Sequence, residues 1–250
     1  MERIQKQELL DCDQWSCAEV ACALGAIGRV NRLYGGNRMH KRLFQRVCSK
    51  FEGKKLQVLE VASGYADVLQ AASLMLKKQD ISMEISLLDR CAQHLPQRHN
   101  WHKDLRLPTL LTGDALELEM PDNSVDVVSC CLFLHHLSLD QARAFLREAL
   151  RVSRIAVLIN DVERKRVNYF LSHLYRFMDP SRLSRHDGPT SVRQAYTYAE
   201  MQGLLQETRC HYELERGYLY RLGAIAWKQE MQPAFLPFRG GDSIHRHVPW

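Results

Sequence analysis

Short apolar runs alternate with helical segments from Leu56 onward, and this alternation constrains the fold more than any other feature of the chain. The apolar spacing predicts strands at 56–61, 83–89, 107–112, 126–134 and 155–159. Two of the predicted helices begin at capping boxes, which start at Ser138 and Thr197. Because strands and helices alternate, we expect a parallel sheet with right-handed crossovers.

The last two strand-like runs, 211–216 and 219–228, follow each other without a helix, which indicates antiparallel pairing at one edge. The prediction is an α/β fold with a doubly wound, seven-stranded sheet whose last strand is antiparallel. Around this sheet the sequence separates a helical N-terminal cap at 1–55, a core at 56–230 with a lid insertion at 162–196, and a tail at 231–250.

Length and cysteine pattern exclude several classes of protein. With 250 residues, the chain can bury a core without disulfides or a structural metal. None of its eight cysteines lies in a C-x-x-C pair, which disfavours zinc and thioredoxin-like sites. The first residues lack a secretory signal, and no apolar run is long enough to span a membrane. These features favour a cytoplasmic protein with reduced thiols.

The net charge of +5 is unevenly distributed along the chain. Residues 29–55 contain nine basic residues and one acidic residue, and residues 164–193 contain seven basic and two acidic residues. Neither segment has the interleaved aromatic residues of a single-strand nucleic-acid platform. We therefore expect no nucleic-acid partner, and predict instead that both segments border one binding pocket.

Small and acidic residues follow the ends of the first three predicted strands, where doubly wound sheets bind their ligands. Glu60 can accept a hydrogen bond from a ligand ammonium group, Asp89 from two ribose hydroxyls and Asp114 from an adenine amino group. The candidate cofactor-binding residues at these strand ends are Glu60, Ala62, Ser63, Gly64, Asp89, Arg90, Gly113, Asp114 and Ala115.

In their order and spacing, these motifs resemble those of the class I S-adenosylmethionine-dependent methyltransferases over residues 56–228. The resemblance implies a Rossmann-like methyltransferase fold with S-adenosylmethionine as cofactor. It also implies that Cys131 and Leu132, after the fourth strand, face the methionine part of that cofactor. His136 matches a histidine often found near the acceptor, so it is the candidate general base, with His135 as the second candidate.

The first motif departs from the E/D-x-G-x-G-x-G pattern of the resembled family, because Ala62 and Ala66 replace two of its glycines. Alanine can occupy both positions without strain if its φ angle is negative. A dinucleotide-binding dehydrogenase is the competing interpretation. It is disfavoured because Asp67 would repel a pyrophosphate, whereas a positively charged sulfonium suits the three acidic residues at the strand ends.

Two segments outside the core are candidates for binding the acceptor. Helices before the first strand often close over the cofactor in the resembled family, with Gly35-Gly36 here as a hinge. The insertion after the fifth strand predicts a lid helix that lines the pocket with the apolar face of Val167, Phe170, Leu171, Leu174 and Met178. The candidate substrate-binding residues are Asn31, Arg32, Tyr34, Arg185, His186, Asp187 and Arg193.

The resemblance leads to methyl transfer onto a hydroxylated aromatic or polyketide-like small molecule, most simply at oxygen. Two alternatives stay open: carbon methylation of a quinone precursor, and a non-catalytic protein that binds S-adenosylmethionine as a partner subunit. A basic pocket mouth beside an apolar lid suits an anionic or amphiphilic acceptor, drawn from an anionic membrane surface by peripheral contact. No metal is expected, and the sequence leaves the oligomeric state open.

Overall fold

The computed structural model describes residues 1–12, 14–51, 53–177, 179 and 181–228. The predicted tail and Met178 of the predicted lid lie outside these residues. The described strands are β1 Lys55–Val61, β2 Ser82–Asp89, β3 Thr109–Thr112, β4 Val125–Cys131, β5 Ser153–Val162, β6 Tyr212–Arg216 and β7 Arg221–Trp227. The described helices are α1 Cys17–Leu33, α2 Gly36–Cys48, α3 Asp67–Lys77, α4 Leu139–Val152, α5 Arg166–Tyr175, α6 Arg182–Gln194 and α7 Tyr198–Glu207.

The strands form one sheet in the order β3-β2-β1-β4-β5-β7-β6. Strands β1 to β5 are parallel, and β7 runs antiparallel to both β5 and β6. This is the predicted doubly wound sheet with its antiparallel edge, so the fold class is confirmed. Both predicted capping boxes are present, with Ser138 opening α4 and Thr197 opening α7.

Each face of the sheet is covered by helices that bury an apolar stripe. Phe145 and Leu146 of α4 pack with Met201 of α7 against one face. On the other face, Phe44 of α2 and Leu69 of α3 pack together. With both faces covered, ligands can reach the sheet only at its strand ends or edges.

Two differences from the sequence prediction lie near the carboxyl ends of the strands. Strand β4 stops at Cys131, three residues earlier than predicted, because Leu132 adopts a positive φ of 56° and residues 134–136 form a 3-10 turn. The helix α6 was absent from the prediction, and it contains Pro189 within its span. Both differences place irregular backbone beside the same end of the sheet.

The N-terminal segment closes over this end. The amides of Leu9 and Leu10 donate to the carboxylate of Asp187 in α6, at 2.9 and 3.0 Å. The Ile4 amide donates to the carbonyl of Arg193 at 3.3 Å. Among the described residues, no helix is both long enough and apolar enough to cross a membrane.

Candidate active site

A cavity of about 920 Å³ opens at the carboxyl ends of β1, β2 and β4, under the N-terminal segment and the α5–α6 insertion. Every residue that the sequence predicts for cofactor binding contributes to its wall. These residues are Glu60, Ala62, Ser63, Gly64, Asp89, Arg90, Gly113, Asp114, Ala115, Cys131 and Leu132. The parallel strands bring them together because their carboxyl ends meet at one edge of the sheet.

The turn after β1 holds three residues in the left-handed region. Ala62, Gly64 and Ala66 have φ angles of 50°, 46° and 51°. The condition of a negative φ at the two alanines is therefore not met, and the tight strand-to-helix turn imposes a conformation that costs an alanine about 1–2 kcal/mol. The strained turn lets the Ala66 backbone lead directly into α3, whose first residue is Asp67.

Asp89 ends β2 and is buried beside this turn. Its Oδ2 accepts from the Gly64 amide at 3.2 Å, and its Oδ1 accepts from the Cys91 amide at 3.1 Å. The ring Nδ1 of His94 lies 3.2 Å from the same Oδ1. These contacts fix the carboxylate at the cavity wall, and Oδ2, which accepts from the Gly64 amide, keeps its second lone pair for a ligand hydroxyl.

Asp114 and Gly113 form the part of the wall after β3. The Oδ1 of Asp114 accepts from the Leu116 amide at 2.9 Å, so one oxygen stabilises the local turn. The Gly113 amide donates to the carbonyl of Asp89 at 3.1 Å, which ties the ends of β2 and β3 together. The second Asp114 oxygen is the one that suits an adenine amino group.

Glu60 is buried on β1 and lies opposite Ser129 of β4 in the strand register. Its Oε2 accepts from the Ser129 hydroxyl and lies 3.7 Å from Nε2 of His40. Burial raises the pKa of the neighbouring Cys131 thiol to about 12, so this sulfur is neutral at the cavity wall. Glu60 is therefore an acidic group suited to a ligand ammonium.

His135 is buried between two carboxylates. Its Nδ1 lies 2.8 Å from Oδ1 of Asp161, and its Nε2 lies 3.6 Å from Oε1 of Glu8. Burial alone lowers the pKa of His135, but the two carboxylates outweigh it and raise this pKa to about 10. An imidazole held as a cation between two carboxylates cannot accept a further proton, which corrects the prediction of His135 as a general base and gives it a structural role.

His136 lies in the cavity wall and is partly exposed. Its Nδ1 is 3.1 Å from Oδ2 of Asp11, while its Nε2 is 4.0 Å from Oε2 of Glu8. Burial alone raises the pKa of Asp11, but the hydrogen bond with His136 and the charge of that ring lower it overall. An ionised Asp11 can hold the Nδ1–H and leave Nε2 as the proton acceptor.

The potential ligand atoms of Glu8, His135 and His136 all lie within 4.8 Å of one another, a spacing that could hold a metal ion. The charges within the cluster already compensate each other, because the cationic His135 faces ionised carboxylates. The absence of a metal remains a prediction.

Of the seven predicted substrate residues, Asn31, Tyr34 and Asp187 line the cavity. The Asp187 carboxylate holds the N-terminal backbone rather than facing an open pocket. The other predicted anchors lie outside the cavity wall: Arg32, Arg185, His186 and Arg193. Helix α6 explains the displaced anchors at 185, 186 and 193, since a regular helix turns successive side chains to different sides.

The two basic segments do not frame the cavity as predicted. None of the nine basic residues in 29–55 lines the cavity. Of the seven basic residues in 164–193, only Arg176 does. Instead, Arg46 of α2 donates to Glu213 and Glu215 of β6 at 3.2 and 2.8 Å. Basic side chains of the first segment thus lie at the far edge of the sheet. Their charge is not evidence for an anionic acceptor in the cavity.

The lid helix α5 is present, but its orientation is opposite to the prediction. Its polar residues Asn168 and Ser172 line the cavity together with Tyr175. Phe170 and Leu174, which belong to the predicted pocket-facing stripe, are exposed. The correct face was not evident from the sequence because both faces of this short helix are compatible with an amphipathic pattern.

Three residues of this site were missed by the sequence analysis. Glu8 and Asp11 reach the histidines from the N-terminal segment, where local sequence carries no signal for a contact so distant in the chain. Arg221 lines the cavity from the start of β7. The sequence does indicate an unusual position for Arg221, since this arginine directly precedes the apolar part of a run that is predicted to be a strand.

Comparisons with known proteins agree with this geometry. A family model described as a methyltransferase domain matches residues 59–156. No curated protein sequence matches the chain.

Solved structures share the fold at low sequence identity. A SAM-dependent methyltransferase from Aquifex aeolicus is 18% identical, and the match covers 86% of this chain and 99% of that one with a TM-score of 0.54. The magnesium protoporphyrin IX methyltransferase ChlM from Synechocystis, with bound SAH, is 13% identical and covers 78% and 84% at a TM-score of 0.53. The plantazolicin methyltransferase BpumL, in complex with SAH, is 12% identical and covers 84% and 95% at 0.61.

The residues in the cavity fit the cofactor of these proteins. The carboxylates of Glu60, Asp89 and Asp114 line one elongated wall, and they suit the ammonium, ribose and adenine groups of a ligand that carries a net positive charge. The segment that carries these carboxylates is similar to a methyltransferase domain over residues 59–156, and the chain shares the fold of S-adenosylmethionine-dependent methyltransferases.

Proposed function

We propose that the protein methylates a hydroxyl oxygen of a small aromatic or polyketide-like acceptor. The observation that carries the proposal is the pair of His136 and Asp11, 3.1 Å apart in the wall of the cavity. The fold itself does not select an acceptor, since ChlM and the carbon methyltransferase CurJ share it. The selection must come from side chains such as these.

The residues divide into a cofactor half and an acceptor half. Glu60, Asp89 and Asp114 bind the cofactor, which supplies an electrophilic methyl group when bound. On the other side, Asp11 accepts from Nδ1 of His136, so that Nε2 takes the proton of the acceptor hydroxyl. Orientation of the two reactants in one closed cavity provides most of the rate enhancement, and proton transfer to His136 adds roughly a hundredfold or more.

The test is a panel of phenols incubated with S-adenosylmethionine, with products detected by a mass gain of one methylene unit. We expect His136→Ala to lower kcat by about a hundredfold, with unchanged binding of S-adenosylhomocysteine. The matched control is His102→Ala, since His102 also lies beside a carboxylate, Asp104 at 3.9 Å, but is exposed and outside the cavity. If His136→Ala turns over at the wild-type rate, His136 is not the general base.

The same assay separates the alternatives. A carbon-13-labelled methyl group distinguishes an oxygen product from a carbon product by its chemical shift. A protein that binds S-adenosylhomocysteine but forms no product with any acceptor would instead be the non-catalytic partner subunit.

We also propose that the protein acts in the cytoplasm. All eight cysteines are free thiols in the structure, as is usual in a reducing compartment. Cell fractionation with an antibody to the chain tests this location, and recovery in a secreted or periplasmic fraction contradicts it.

A further inference from the structure

Arg221 is a buried cation at the ligand edge of the sheet. It is the first residue of β7, and because β7 runs antiparallel to β5, it pairs with Val162 at the carboxyl end of β5. The residue is 1% exposed and contributes to the cavity wall. An arginine in such a position requires a compensating partner, since burying an unpaired charge is strongly unfavourable.

The partners of Arg221 are neutral groups. Its Nε donates to Oδ1 of Asn160 at 2.8 Å, and its Nη2 donates to Oδ1 of Asn31 at 2.8 Å. Its Nη1 is buried and has no hydrogen-bond partner among the described residues. Within the described part of the chain, no carboxylate oxygen lies within 4.0 Å of this guanidinium. Two asparagines thus hold the side chain in place and leave its charge unpaired.

The nearby carboxylates are already engaged. Asp161 accepts from the backbone amides of His135 and Val162, and its Oδ1 also contacts the His135 ring. Glu60 accepts from the Ser129 hydroxyl. Cys131, whose Sγ lies 3.1 Å from Nη2 of Arg221, is a neutral thiol. The charge of Asp161 acts on Arg221 from a distance, but no described carboxylate contacts the guanidinium directly, and its Nη1 has no partner to bind in place of a ligand anion.

We propose that Arg221 is the carboxylate-binding residue of the cavity. The carboxylate belongs either to the methionine part of the cofactor or to the acceptor. The first source matches the position of Glu60, which supplies an acidic partner for the ammonium group of the same amino acid. This inference rests on cofactor binding by the chain and not on the choice between oxygen and carbon methylation.

The experiment compares ligands with and without the carboxylate in wild type and Arg221→Gln. If the cofactor supplies the carboxylate, the variant binds S-adenosylmethionine roughly ten- to a hundredfold more weakly, as expected for a lost charged hydrogen bond. Its affinity for decarboxylated S-adenosylmethionine stays at the wild-type value. Binding of 5′-methylthioadenosine, which lacks the amino acid entirely, shows that the variant is folded. Arg221→Lys, which keeps the charge, restores part of the lost affinity.

If the acceptor supplies the carboxylate, Arg221→Gln binds both cofactor forms normally. Salicylate then binds the protein loaded with S-adenosylhomocysteine more tightly than salicylamide does, and the variant loses this preference. Asn31→Asp provides an independent check, because it places a carboxylate 2.8 Å from Nη2 of Arg221 that competes with the carboxylate of the ligand. It should weaken binding of the same ligand that Arg221→Gln weakens. The proposal is overturned if Arg221→Gln keeps both the wild-type affinity for S-adenosylmethionine and the wild-type preference for salicylate over salicylamide. A separate assay of methyl transfer tests the proposed function.

A second observation concerns the outer face of the lid. Val167, Phe170 and Leu174 lie at i, i+3 and i+7 on one side of α5, and Phe177 continues the stripe beyond the helix end. Their exposed fractions are 48%, 68%, 55% and 85%. Four large apolar residues on one small surface are unusual for a face in contact with water. We refer to these four residues as the lid stripe.

The surroundings of the lid stripe are cationic. Arg166 and Arg176, which adjoin Val167 and Phe177 in the chain, are exposed, and neither has a carboxylate within 4.0 Å among the described residues. The acidic residues described between 164 and 193 are Asp179 and Asp187, and both are buried. An apolar stripe flanked by arginines is the pattern of a helix that lies on an anionic bilayer.

We infer that the lid stripe docks on the surface of an anionic lipid bilayer. A second copy of the chain fits this surface less well, because a symmetric contact would bring the unpaired arginines of both copies together. Tyr175, at the end of the same helix, lines the cavity, so docking places the cavity next to the bilayer. The inference does not depend on the proposed acceptor.

Flotation of the full chain with vesicles tests the docking. We expect binding to vesicles of phosphatidylcholine with phosphatidylglycerol, and much weaker binding to phosphatidylcholine alone. The variant Phe170→Glu/Phe177→Glu loses at least about tenfold in partitioning, since each buried aromatic ring contributes more than a kilocalorie. The matched control Leu107→Glu/Leu139→Glu adds the same charge at exposed apolar positions elsewhere and leaves binding unchanged.

Arg166→Gln lowers binding to the anionic vesicles by about fivefold, the effect of one basic residue near a charged surface. Retained binding of S-adenosylhomocysteine shows that each variant is folded. Equal partitioning of wild type and Phe170→Glu/Phe177→Glu overturns the inference. So does a wild-type dimer that this variant dissociates without any vesicle binding, because the surface is then a contact between copies.

Discussion

Two alanines in the cofactor turn hold a backbone conformation that glycine adopts without strain. Ala62 and Ala66 have φ angles of 50° and 51°, and both line the cavity. The sequence shows only that glycine has been replaced there. It does not show that the turn kept its left-handed geometry after the replacement, because that geometry is imposed by the strand and the helix on either side.

Replacement of either alanine by glycine is therefore expected to stabilise the protein. Ala62→Gly and Ala66→Gly relieve about 1–2 kcal/mol of strain and lose about 0.5–1 kcal/mol through the greater freedom of glycine in the unfolded chain. The net gain in the free energy of unfolding is about 0.5–1 kcal/mol, measured by urea denaturation. Ala72→Gly, within α3, is the control and should be destabilising. Equal losses in all three variants contradict the left-handed turn.

His135 gives the protein a stability that depends on pH. Asp161 and Glu8 raise its pKa in the folded protein to about 10, above the ordinary histidine value of 6.5. A group with a raised folded pKa contributes its full stabilisation below the unfolded pKa, and this stabilisation is lost as the pH rises toward the folded pKa.

Wild type should therefore lose several degrees in Tm between about pH 6.5 and pH 10 from this residue. His135→Gln removes the titrating group, so its Tm is lower at pH 6 and changes less over the same range. Thermal unfolding followed by circular dichroism measures both curves. Parallel curves for the two proteins mean that His135 is not held as an imidazolium.

At the scale of elements, the site is completed by segments that are distant in the chain. The N-terminal segment supplies Glu8 and Asp11, and it is tied to α6 through the Asp187 carboxylate. Burial raises the pKa of Asp187, although bonds from His186 and the backbone act in the opposite direction. The insertion thus positions the segment that carries the partner of His136.

Asp187→Ala should release the N-terminal segment and leave the core intact. The loss of two amide bonds to a buried carboxylate destabilises the segment by about 1–3 kcal/mol. Hydrogen exchange of residues 4–11 is expected to become faster, and kcat to fall because Asp11 no longer holds His136. Arg185→Ala, an exposed change on the same helix, is the control. Unchanged exchange in Asp187→Ala contradicts the proposed tie.

At the scale of the whole molecule, we expect the cofactor to connect several strands of the sheet. The predicted cofactor-binding residues follow β1, β2, β3 and β4 and line one cavity, so a ligand bound to them would stabilise the folded state as a unit. At a hundredfold excess over Kd, a ligand adds about 2.7 kcal/mol, which corresponds to roughly 5–10 °C in Tm for a chain of this size.

S-adenosylhomocysteine should produce this increase in a thermal shift measurement on wild type. Asp89→Ala should abolish it, because the carboxylate predicted to accept from the ribose is lost. Asp104→Ala, at an exposed carboxylate outside the cavity, retains the full shift. An equal shift in wild type and Asp89→Ala removes Asp89 from the cofactor site.

The sequence by itself determined the fold class, the antiparallel edge of the sheet and the residues of the cofactor wall. These depend on apolar periodicity and on the residues that follow each strand, and both can be recognised locally in the sequence. Because the strands are parallel, the residues at their carboxyl ends meet at one site. The net charge of +5 can also be counted from the sequence, but the positions of the charged side chains in the folded protein cannot. Arg46 pairs with Glu213 and Glu215 at the far edge, instead of facing the cavity.

Only the tertiary structure decided which charged groups surround each histidine, which face of the lid lines the cavity and where Arg221 lies in its wall. His135 and His136 are adjacent in sequence, yet Asp161 and Glu8 surround the first and Asp11 contacts the second. Arg221 reaches the site because β7 runs antiparallel to β5. Charges act through space, and long-range packing sets which of them are neighbours.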